Sequence, residues 1–410
     1  MTTKNNIPAG YKDSVVGIIP QEWEVRTFQE LGSMLGTNTL SRDKMNECSG
    51  CAQNIHYGDV LVKYGEVLDC TSMNIPWVNS DCRNANLGTI LQNGDIVISD
   101  TAEDYTVGKA TEVQGVGTKI VLSGLHTIAF RPNVGMFASN FLGYYFNSTI
   151  YRSQLYPLIQ GIKVCSISKK AISNTKLAVP PMAEQRKIAE ILGVWDEAIE
   201  KQSRLIEKLE LRKRALMQRL LTGRTRLSGF TTPWQKVKLG EICNITTGKL
   251  DANAMNIYGI YPFFTCAKEV SKINQFAFDT EALLISGNGE HLGYVHYYKG
   301  KFNAYQRTYV LNNFTQNIFY MFYTLKQNLP KRILQTKSSS NTPYIIMETL
   351  TNMEIALPNN QEQKAIAEVL TTADDEIAIH SKTLDALRLQ KRGLMQQLLT
   401  GKTRVKFKIL

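Results

Sequence analysis

Residues 180–226 read PPMAEQRKIAEILGVWDEAIEKQSRLIEKLELRKRALMQRLLTGRTR, and residues 358–404 read PNNQEQKAIAEVLTTADDEIAIHSKTLDALRLQKRGLMQQLLTGKTR. At a constant offset of 178, the two stretches are identical at 23 of 47 positions without a gap. An internal repeat of this kind is interpreted first, because it decides the architecture before any local prediction does. The chain therefore contains a duplicated unit that ends in this stretch.

Apolar residues recur along the repeated stretch in alternating steps of three and four, which is typical of a coiled coil. A helix of about 40 residues is roughly 60 Å long at about 1.5 Å per residue. Because a single helix of this kind is not stable alone in water, we expect the two copies to pair with each other. The predicted seam residues are Ile188, Leu192, Trp195, Ile199, Ile206 and Leu209 in the first copy, and Ile366, Leu370, Ile377, Leu384 and Leu387 in the second.

Two polar features of the repeated stretch lead to further expectations. Asn360 and Gln363 resemble a capping box at the start of the second helix. Lys213 and Lys391 occupy the same seam position in the two copies, where a polar group lowers stability and can fix the register of a coiled coil. We expect both ammonium groups to be solvated, and a role in register stays a hypothesis.

A region of mixed texture precedes each copy, with short β-like runs bounded by Gly and Asp. IPQEWEV opens the first region and TTPWQKV the second, so that Trp23 corresponds to Trp234. At the offset of 178, Tyr145 corresponds to Tyr323, which predicts that the 33 additional residues of the first region all precede Phe141. The two regions are therefore interpreted as copies of one fold with loops of different length.

The sequence predicts an α+β fold, in which two similar mixed α/β domains are joined by two long antiparallel coiled-coil helices in a pseudo-two-fold repeat. The antiparallel direction follows from connectivity, because each helix starts at its own domain and is expected to end near the other. The predicted segments are domain 1 (1–179), helix 1 (180–223), domain 2 (224–357), helix 2 (358–401) and a basic tail returning toward domain 1 (402–410).

Composition is that of an ordinary soluble protein, with 43% hydrophobic and 20% charged residues. The 47 basic and 36 acidic residues give a net charge of +11, which is compatible with a polyanionic partner. The absence of a signal-like start or a long apolar run predicts a cytoplasmic protein. Cys48 and Cys51 form a C-x-x-C, but no second pair completes a zinc site, so no metal site is predicted.

The motifs PxxxEQxxIAExL and LMQxLLTGxTR, doubled at this spacing after two Pro-Trp openings, resemble the specificity subunits of Type I restriction-modification enzymes. The resemblance covers essentially the whole chain. It implies two target recognition domains that each bind half of a bipartite DNA sequence, with helices that set the distance between the halves. It further implies docking of two methyltransferase subunits, through which restriction and translocase subunits can join. The unequal domains predict an asymmetric target.

In that family, adenine is methylated by the partner subunit, which binds S-adenosylmethionine, and the specificity subunit has no active site. The chain lacks the Asn/Asp-Pro-Pro-aromatic tetrad of a methyltransferase. The segment GNGEHLG (287–293) is not a G-x-G-x-x-G loop, and no helix-forming stretch follows it. We therefore expect no catalytic residue and no cofactor on this chain. The alternatives are a freestanding DNA-modifying enzyme and an architectural coiled-coil adaptor without sequence preference.

Base recognition requires side chains with paired donors and acceptors on loops that reach a DNA groove. Two better candidates are His291, on a glycine-containing loop, and Arg307, beside the start of a strand. The predicted DNA-binding residues are Lys63, Tyr64, Thr101, Glu103, Lys109, Gln160 and Lys163 in domain 1, and Asn288, Glu290, His291, Gln306, Arg307, Lys337 and Asn341 in domain 2.

Overall fold

The computed structural model describes residues 7–79, 87–335 and 344–406. The chain divides into unit 1 (Met1–Lys201 and Leu384–Leu410) and unit 2 (Gln202–Thr383). The division falls within both long helices, so each unit contains the beginning of one helix and the end of the other. The segment boundaries given above stay a prediction.

The elements up to residue 220 are short strands and helices followed by one long helix. The strands are β1 (Tyr11–Lys12), β2 (Ile19–Pro20), β3 (Glu24–Thr27), β4 (Gly32–Leu35), β5 (Met45–Asn46), β6 (Gln53–Ile55), β7 (Val67–Asp69), β8 (Trp77–Val78), β9 (Ile96–Ser99), β10 (Thr101–Ala102), β11 (Ala110–Gln114), β12 (Val121–Ser123), β13 (Thr127–Pro132), β14 (Cys165–Ser166) and β15 (Lys176–Val179). The helices are α1 (Tyr57–Val62), α2 (Phe141–Phe146), α3 (Thr149–Leu155), α4 (Lys169–Ser173) and α5 (Met182–Leu220).

The elements after residue 220 repeat this plan. The strands are β16 (Gln235–Lys238), β17 (Asn244–Thr247), β18 (Tyr261–Phe264), β19 (Ser271–Ile273), β20 (Phe278–Ser286), β21 (Val295–Ala304), β22 (Thr308–Asn312) and β23 (Glu354–Leu357). The helices are α6 (Leu239–Ile242), α7 (Ile318–Gln335), α8 (Met347–Thr351) and α9 (Asn360–Leu398).

The core of unit 1 is built on both faces of a sheet with the strand order β4-β13-β9-β11-β7. Successive side chains of a strand point to opposite faces. Ile96 and Ile98 of β9 accordingly pack with the aromatic residues of α2 and with Ile188 of α5, whereas Val97 packs into a separate cluster on the other face. Burial on both faces explains why β9 is entirely apolar up to its last residue.

Unit 2 has the sheet order β17-β22-β20-β21-β18-β19 and the same division of its core. Leu283 and Ile285 of β20 pack with α7 and with Ile366 of α9, whereas Ala282 and Leu284 face a second cluster. In both units the central strand therefore connects the loops at one end to the long helices on one face.

The inserted residues of unit 1 lie mainly within one segment. Ser123 of β12 pairs in parallel with Ile55 of β6, just as Ala304 of β21 pairs with Phe264 of β18. From Ile55 to Ser99, the last residue of β9, the chain advances 44 positions, but from Phe264 to the end of β20 it advances 22. The additional residues of this segment include β7 and β8.

One predicted correspondence was wrong by one residue. The hydroxyl of Tyr144 donates to Asp196 at 2.6 Å, and that of Tyr323 donates to Asp374 at 2.7 Å. Because Asp196 and Asp374 correspond at the offset of 178, Tyr323 corresponds to Tyr144 and not to Tyr145. One additional residue of unit 1 therefore follows the aromatic helix, instead of all 33 preceding it.

The two long helices pair antiparallel within each unit. In unit 1, Arg404, just after α9, contacts Glu184 near the start of α5, and Lys391 contacts Asp196 further along α5. In unit 2 the contacts are Gln202 with His380 and Lys213 with Asp374. The predicted fold class, with two similar mixed α/β domains and two long antiparallel helices, is confirmed.

The predicted seam lies on the inner faces of these helices. Six of the predicted seam residues are buried, namely Ile188, Leu192, Leu209, Ile366, Leu370 and Leu384, and the other five are partly buried, namely Trp195, Ile199, Ile206, Ile377 and Leu387.

The start of α9 differs from the expectation. The backbone amide of Glu362 donates to Asn359 Oδ1 at 2.9 Å, so the capping residue is Asn359 and not Asn360.

A buried carboxylate joins three parts of unit 1 in what we call its Glu–Trp–Arg cluster. Glu184 is 1% exposed and accepts hydrogen bonds from Trp23 Nε1 at 2.9 Å and Arg404 Nε at 2.8 Å. Arg404 also reaches Glu22 at 3.1 Å. The Trp of the domain opening and the Arg of the TGxTR exit are therefore held by the Glu of the EQ motif.

Unit 2 contains the same cluster. Glu362 is fully buried and accepts from Arg226 Nε at 3.0 Å and Trp234 Nε1 at 3.3 Å. In each unit, the Arg comes from the exit of one long helix and the Glu from the start of the other. The cluster thus explains why both motifs are repeated together.

A second repeated group, the Lys–Asp–Tyr cluster, corrects the expectation that the seam lysines are solvated. In unit 1, Lys391 pairs with Asp196 and with Glu66, and lies 5.1 Å from the ring centre of Tyr144. Its side chain is 8% exposed. The carboxylate supplied by the opposite helix and the ring supplied by the domain let this ammonium group stay buried.

The Lys–Asp–Tyr cluster of unit 2 is similar but less charged. Lys213 pairs with Asp374 and lies 5.4 Å from the ring centre of Tyr323, with 14% of its side chain exposed. In both units the expectation of solvated lysines was therefore wrong.

No helix within the described ranges is long and apolar enough to cross a membrane.

Candidate nucleic-acid interface

Three segments of unit 1 meet beyond the end of β9. Asp100 connects them, because its backbone amide donates to His126 O at 3.1 Å and its carbonyl accepts from Ile167 N at 2.9 Å. Thr101 of β10 pairs with Ser166 of β14. We call the surface formed by residues 100–108, 124–126 and 160–166 the loop edge of unit 1.

Unit 2 builds its loop edge with the same backbone bonds. Gly287 N donates to Arg307 O at 2.8 Å, and Gly287 O accepts from Ile345 N at 2.8 Å. Asn288 pairs with Tyr344 in an isolated bridge. The loop edge of unit 2 thus contains residues 287–293, 305–307 and 344. These bonds make His126 the counterpart of Arg307, and Thr101 the counterpart of Asn288.

The loop edge of unit 1 borders a cleft of about 630 Å³ with mixed polar and apolar walls. Arg42, His56, Tyr57, Thr101, Glu103 and Val164 are among its lining residues. Several apolar side chains at or near this edge are far more exposed than usual: Val62 is 87%, Tyr105 67%, Ile162 98% and Val164 57% exposed. Exposed apolar side chains grouped together among polar residues are typical of an interaction surface.

Two ionisable groups in this cleft are held in place. Arg42 Nη1 lies 2.6 Å from Asp59 Oδ2, and Asp59 is only 7% exposed. His56 Nδ1 accepts from Gly58 N at 3.3 Å, and burial lowers the pKa of His56. His56 is therefore neutral near pH 7. Because Nδ1 accepts from the backbone, Nε2 carries the proton and is a hydrogen-bond donor without charge.

The loop edge of unit 2 borders a smaller cavity of about 260 Å³, lined by Gly287, Gln306, Arg307, Tyr309 and Ile345. Gln306 and Arg307 are exposed. Gln306 Nε2 donates to Asp251 Oδ1 at 2.5 Å, which fixes the amide group of a residue that lines the same cavity as Arg307. The amide and guanidinium together form a donor-rich surface.

Most of the predicted DNA-binding residues lie on the two loop edges, and three others in unit 1 do not. Tyr64 is 2% exposed, and Lys109 Nζ donates to the carbonyls of Leu61 and Tyr64 at 2.9 Å each. Lys63 is exposed just after α1. Lys337 and Asn341 lie outside the described residues. Those on the loop edges are Thr101, Glu103, Gln160 and Lys163 in unit 1, and Asn288, Glu290, His291, Gln306 and Arg307 in unit 2.

Sequence reasoning missed several residues of this surface, notably Arg42, His56, Tyr57 and His126. His126 had a usable signal, because it precedes a strand-starting threonine just as Arg307 does. The signal was hidden because the local offset between the repeats is 181 here and not 178.

Within the described ranges, no group of His, Cys, Asp and Glu side chains is arranged to hold a metal ion.

Comparison with known proteins gives consistent matches. The family model described as Type I restriction modification DNA specificity domain matches residues 20–211 and 231–389. The EcoDI specificity subunit of Escherichia coli is 41% identical over 167 residues, which is 41% of this chain and 37% of that protein. The putative MjaX specificity subunit of Methanocaldococcus jannaschii is 25% identical over 428 residues and 97% of both chains.

Solved structures share the fold at low sequence identity. The S subunit of a Type I restriction-modification system from M. genitalium matches with a TM-score of 0.57 and 16% identity over 100% of both chains. A chain from work on complex assembly and conformational transition of the type I R-M system matches with a TM-score of 0.60 and 18% identity, over 94% of this chain and 99% of that one.

Proposed function

The chain belongs to the family of Type I restriction-modification DNA specificity subunits, and on this premise we propose that each unit binds one half of an asymmetric bipartite DNA target. The subunit supplies sequence recognition to an adenine methyltransferase complex. S-adenosylmethionine and the catalytic residues belong to the methyltransferase partner, and restriction subunits join through that partner.

The pair of loop edges is the observation that carries this proposal. The backbone bonds that build them are the same in both units, but the side chains differ: Asp100 stands where unit 2 has Gly287, and His126 where it has Arg307. Two domains that bind different half-sites need the same backbone arrangement with different side chains. The backbone positions the side chains, and the side-chain contacts to the bases specify the sequence.

The surface chemistry suits double-stranded DNA. Exposed apolar groups at the loop edge of unit 1 can contact thymine methyl groups, and amide and guanidinium groups at that of unit 2 match base edges in the major groove. The net charge of +11 favours a polyanion. An acidic protein surface would use the charge but would not require paired donors and acceptors.

The long helices offer one docking position per unit for a methyltransferase subunit. Leu389 in unit 1 is 67% exposed, and Leu211 in unit 2, at the equivalent repeat position, is 61% exposed. Other apolar side chains of these helices are also exposed, such as Val194 at 61% and Ile379 at 63%, but their repeat equivalents are Thr372 and Lys201. An exposed leucine present at the equivalent position of both helices fits a partner that binds twice. The proposal is therefore a complex with two methyltransferase subunits.

Replacing Leu389 with aspartate should remove one of the two methyltransferase subunits, and replacing Leu211 as well should remove both. The cause is a charge placed where apolar surface is buried by the partner. Native mass spectrometry of the complex gives the stoichiometry directly. Gln390→Asp is the matched control, because Gln390 is exposed beside Leu389. Retention of two subunits in the double variant would contradict this docking position.

The recognition role is tested by a methylome of host cells with and without the chain. A bipartite adenine motif should appear only when the chain is present. Exchanging residues 248–311 for those of another specificity subunit should then change one half of the motif and leave the other half unchanged. An unchanged motif would refute the recognition role, whereas methylation by the purified chain alone would show that it is itself an enzyme.

A further inference from the structure

His126 and Arg307 occupy equivalent places in the two units. The carbonyl of each accepts the backbone amide of the first residue after the central strand, at 3.1 Å in unit 1 and 2.8 Å in unit 2. Each is followed by a buried threonine that pairs with the last residue of that strand, Ser99 or Ser286. Both side chains are exposed, and each belongs to the second, in chain order, of the three segments that form its loop edge.

The backbone of His126 has a conformation that residues other than glycine rarely adopt. Its φ is 55°, a left-handed value that is uncommon outside glycine and that marks functional sites when the surroundings enforce it. Nδ1 lies 3.4 Å from Asp100 Oδ1 and 3.3 Å from Thr101 Oγ1, and the ring stands edge-on to Tyr57 at 5.4 Å. These contacts fix the Nδ1 side of the ring, which leaves Nε2 as the nitrogen for a ligand.

Arg307 presents a larger donor group from the same place. Its carbonyl accepts from Gly287 N and from Cys266 Sγ at 3.4 Å, so its backbone is anchored while its side chain is exposed. In the part of the chain that the structure describes, no carboxylate forms an ion pair with this guanidinium. A guanidinium can donate two bonds to O6 and N7 of guanine, whereas one imidazole nitrogen donates a single bond.

We propose that His126 and Arg307 contact the base at the equivalent position of their two half-sites, and that their difference is one source of target asymmetry. Arg307 selects guanine through a bidentate contact. His126 makes one bond and discriminates less at its position. This inference rests on the proposed function, because it needs each unit to read one half-site.

The test is a reciprocal exchange in the full methyltransferase complex, read by sequencing methylated adenines in a DNA library with randomised half-sites. Arg307→His should weaken the guanine preference at one position of one half-site by about 5- to 150-fold, the range for a good bidentate contact. His126→Arg should create a guanine preference at the equivalent position of the other half-site. In each variant, the untouched half-site serves as the internal control.

Two further variants keep the outcome clear. Arg307→Lys retains the charge without the fork, so the guanine preference should fall while overall binding persists. His126→Gly tolerates the left-handed backbone, so it removes the imidazole without adding strain or a new base-reading group, and it should flatten the preference at that position.

Motifs that stay identical in both exchanged proteins, or a folded Arg307 variant that loses methylation equally at all bases, would overturn the inference. The second result would indicate a phosphate contact. If the wild-type chain directs no bipartite methylation in the library, it is the proposed function that fails.

Discussion

Replacing Glu184 with alanine is expected to destabilise unit 1 by about 3 kcal/mol. Removing one partner of a buried ion pair costs about 3–5 kcal/mol, because the other charge stays without compensation. Glu184 is 1% exposed, and its loss leaves Trp23 Nε1 without its acceptor and Arg404 with only the exposed Glu22 as an ion-pair partner. The lower end of the range applies, since the Arg404 side chain is 31% exposed and can reach water. Chemical denaturation of the full chain measures the loss, and hydrogen exchange assigns it to unit 1.

Glu190→Ala is the matched control on the same helix. Its carboxylate is 64% exposed and lies 3.0 Å from Lys187, so its removal should cost less than about 1 kcal/mol. Equal effects of the two substitutions would show that the Glu–Trp–Arg cluster contributes no more than a surface ion pair. The cluster would then be a consequence of the repeat and not a support of the fold.

Lys391→Met should have the second large effect, about 2–4 kcal/mol near neutral pH, because it leaves Glu66 and Asp196 without their cation. Burial alone would raise the pKa of Glu66, but the charge and hydrogen bond of Lys391, together with a backbone hydrogen bond and the charge of Lys109, lower this pKa overall. Because the folded pKa of Glu66 is lowered, the ion pair stabilises the fold fully at pH values above the unfolded pKa of 4.5. This stabilisation is lost as the pH falls through the folded pKa. The difference from the wild type should therefore shrink in acid.

Lys213→Met provides the comparison in unit 2. Lys213 pairs with Asp374 at a more exposed site, so its removal should cost less than that of Lys391. A double-mutant cycle of Lys391→Met with Asp196→Asn measures the coupling directly. If Lys391→Met costs no more than substitution of the exposed Lys382, the ammonium group does not stabilise the helix pair.

The architecture could be predicted from the sequence because its strongest signal, an ungapped repeat with a heptad pattern, is also its largest structural feature. The helices, their pairing and the two similar domains all follow from that pattern. The buried lysines could not be predicted, since a polar residue in a seam gives no sign of what faces it. For Lys391, the partners are Asp196 on the other helix and Glu66 in the domain.

The loop edges were only partly predictable for a different reason. Insertions change the offset between the repeats from 211 at Trp23 to 181 at His126 and 178 at Glu184. His126 therefore did not align with Arg307, although that residue was itself a candidate. Local alignment fails where loops differ in length, and those are the places where binding residues lie.

The loops after β9 and β20 begin and end with main-chain bonds. Gly108 and Gly293 both have left-handed backbones, with φ of 83° and 81°, and their amides donate to Ser99 O and Ser286 O at 2.8 Å. Because only main-chain atoms form the hydrogen bond that closes each loop, the side chains between its two ends can change without loss of the loop conformation. Selection can therefore diversify what the protein recognises at little cost to folding, provided that the closing glycines are kept.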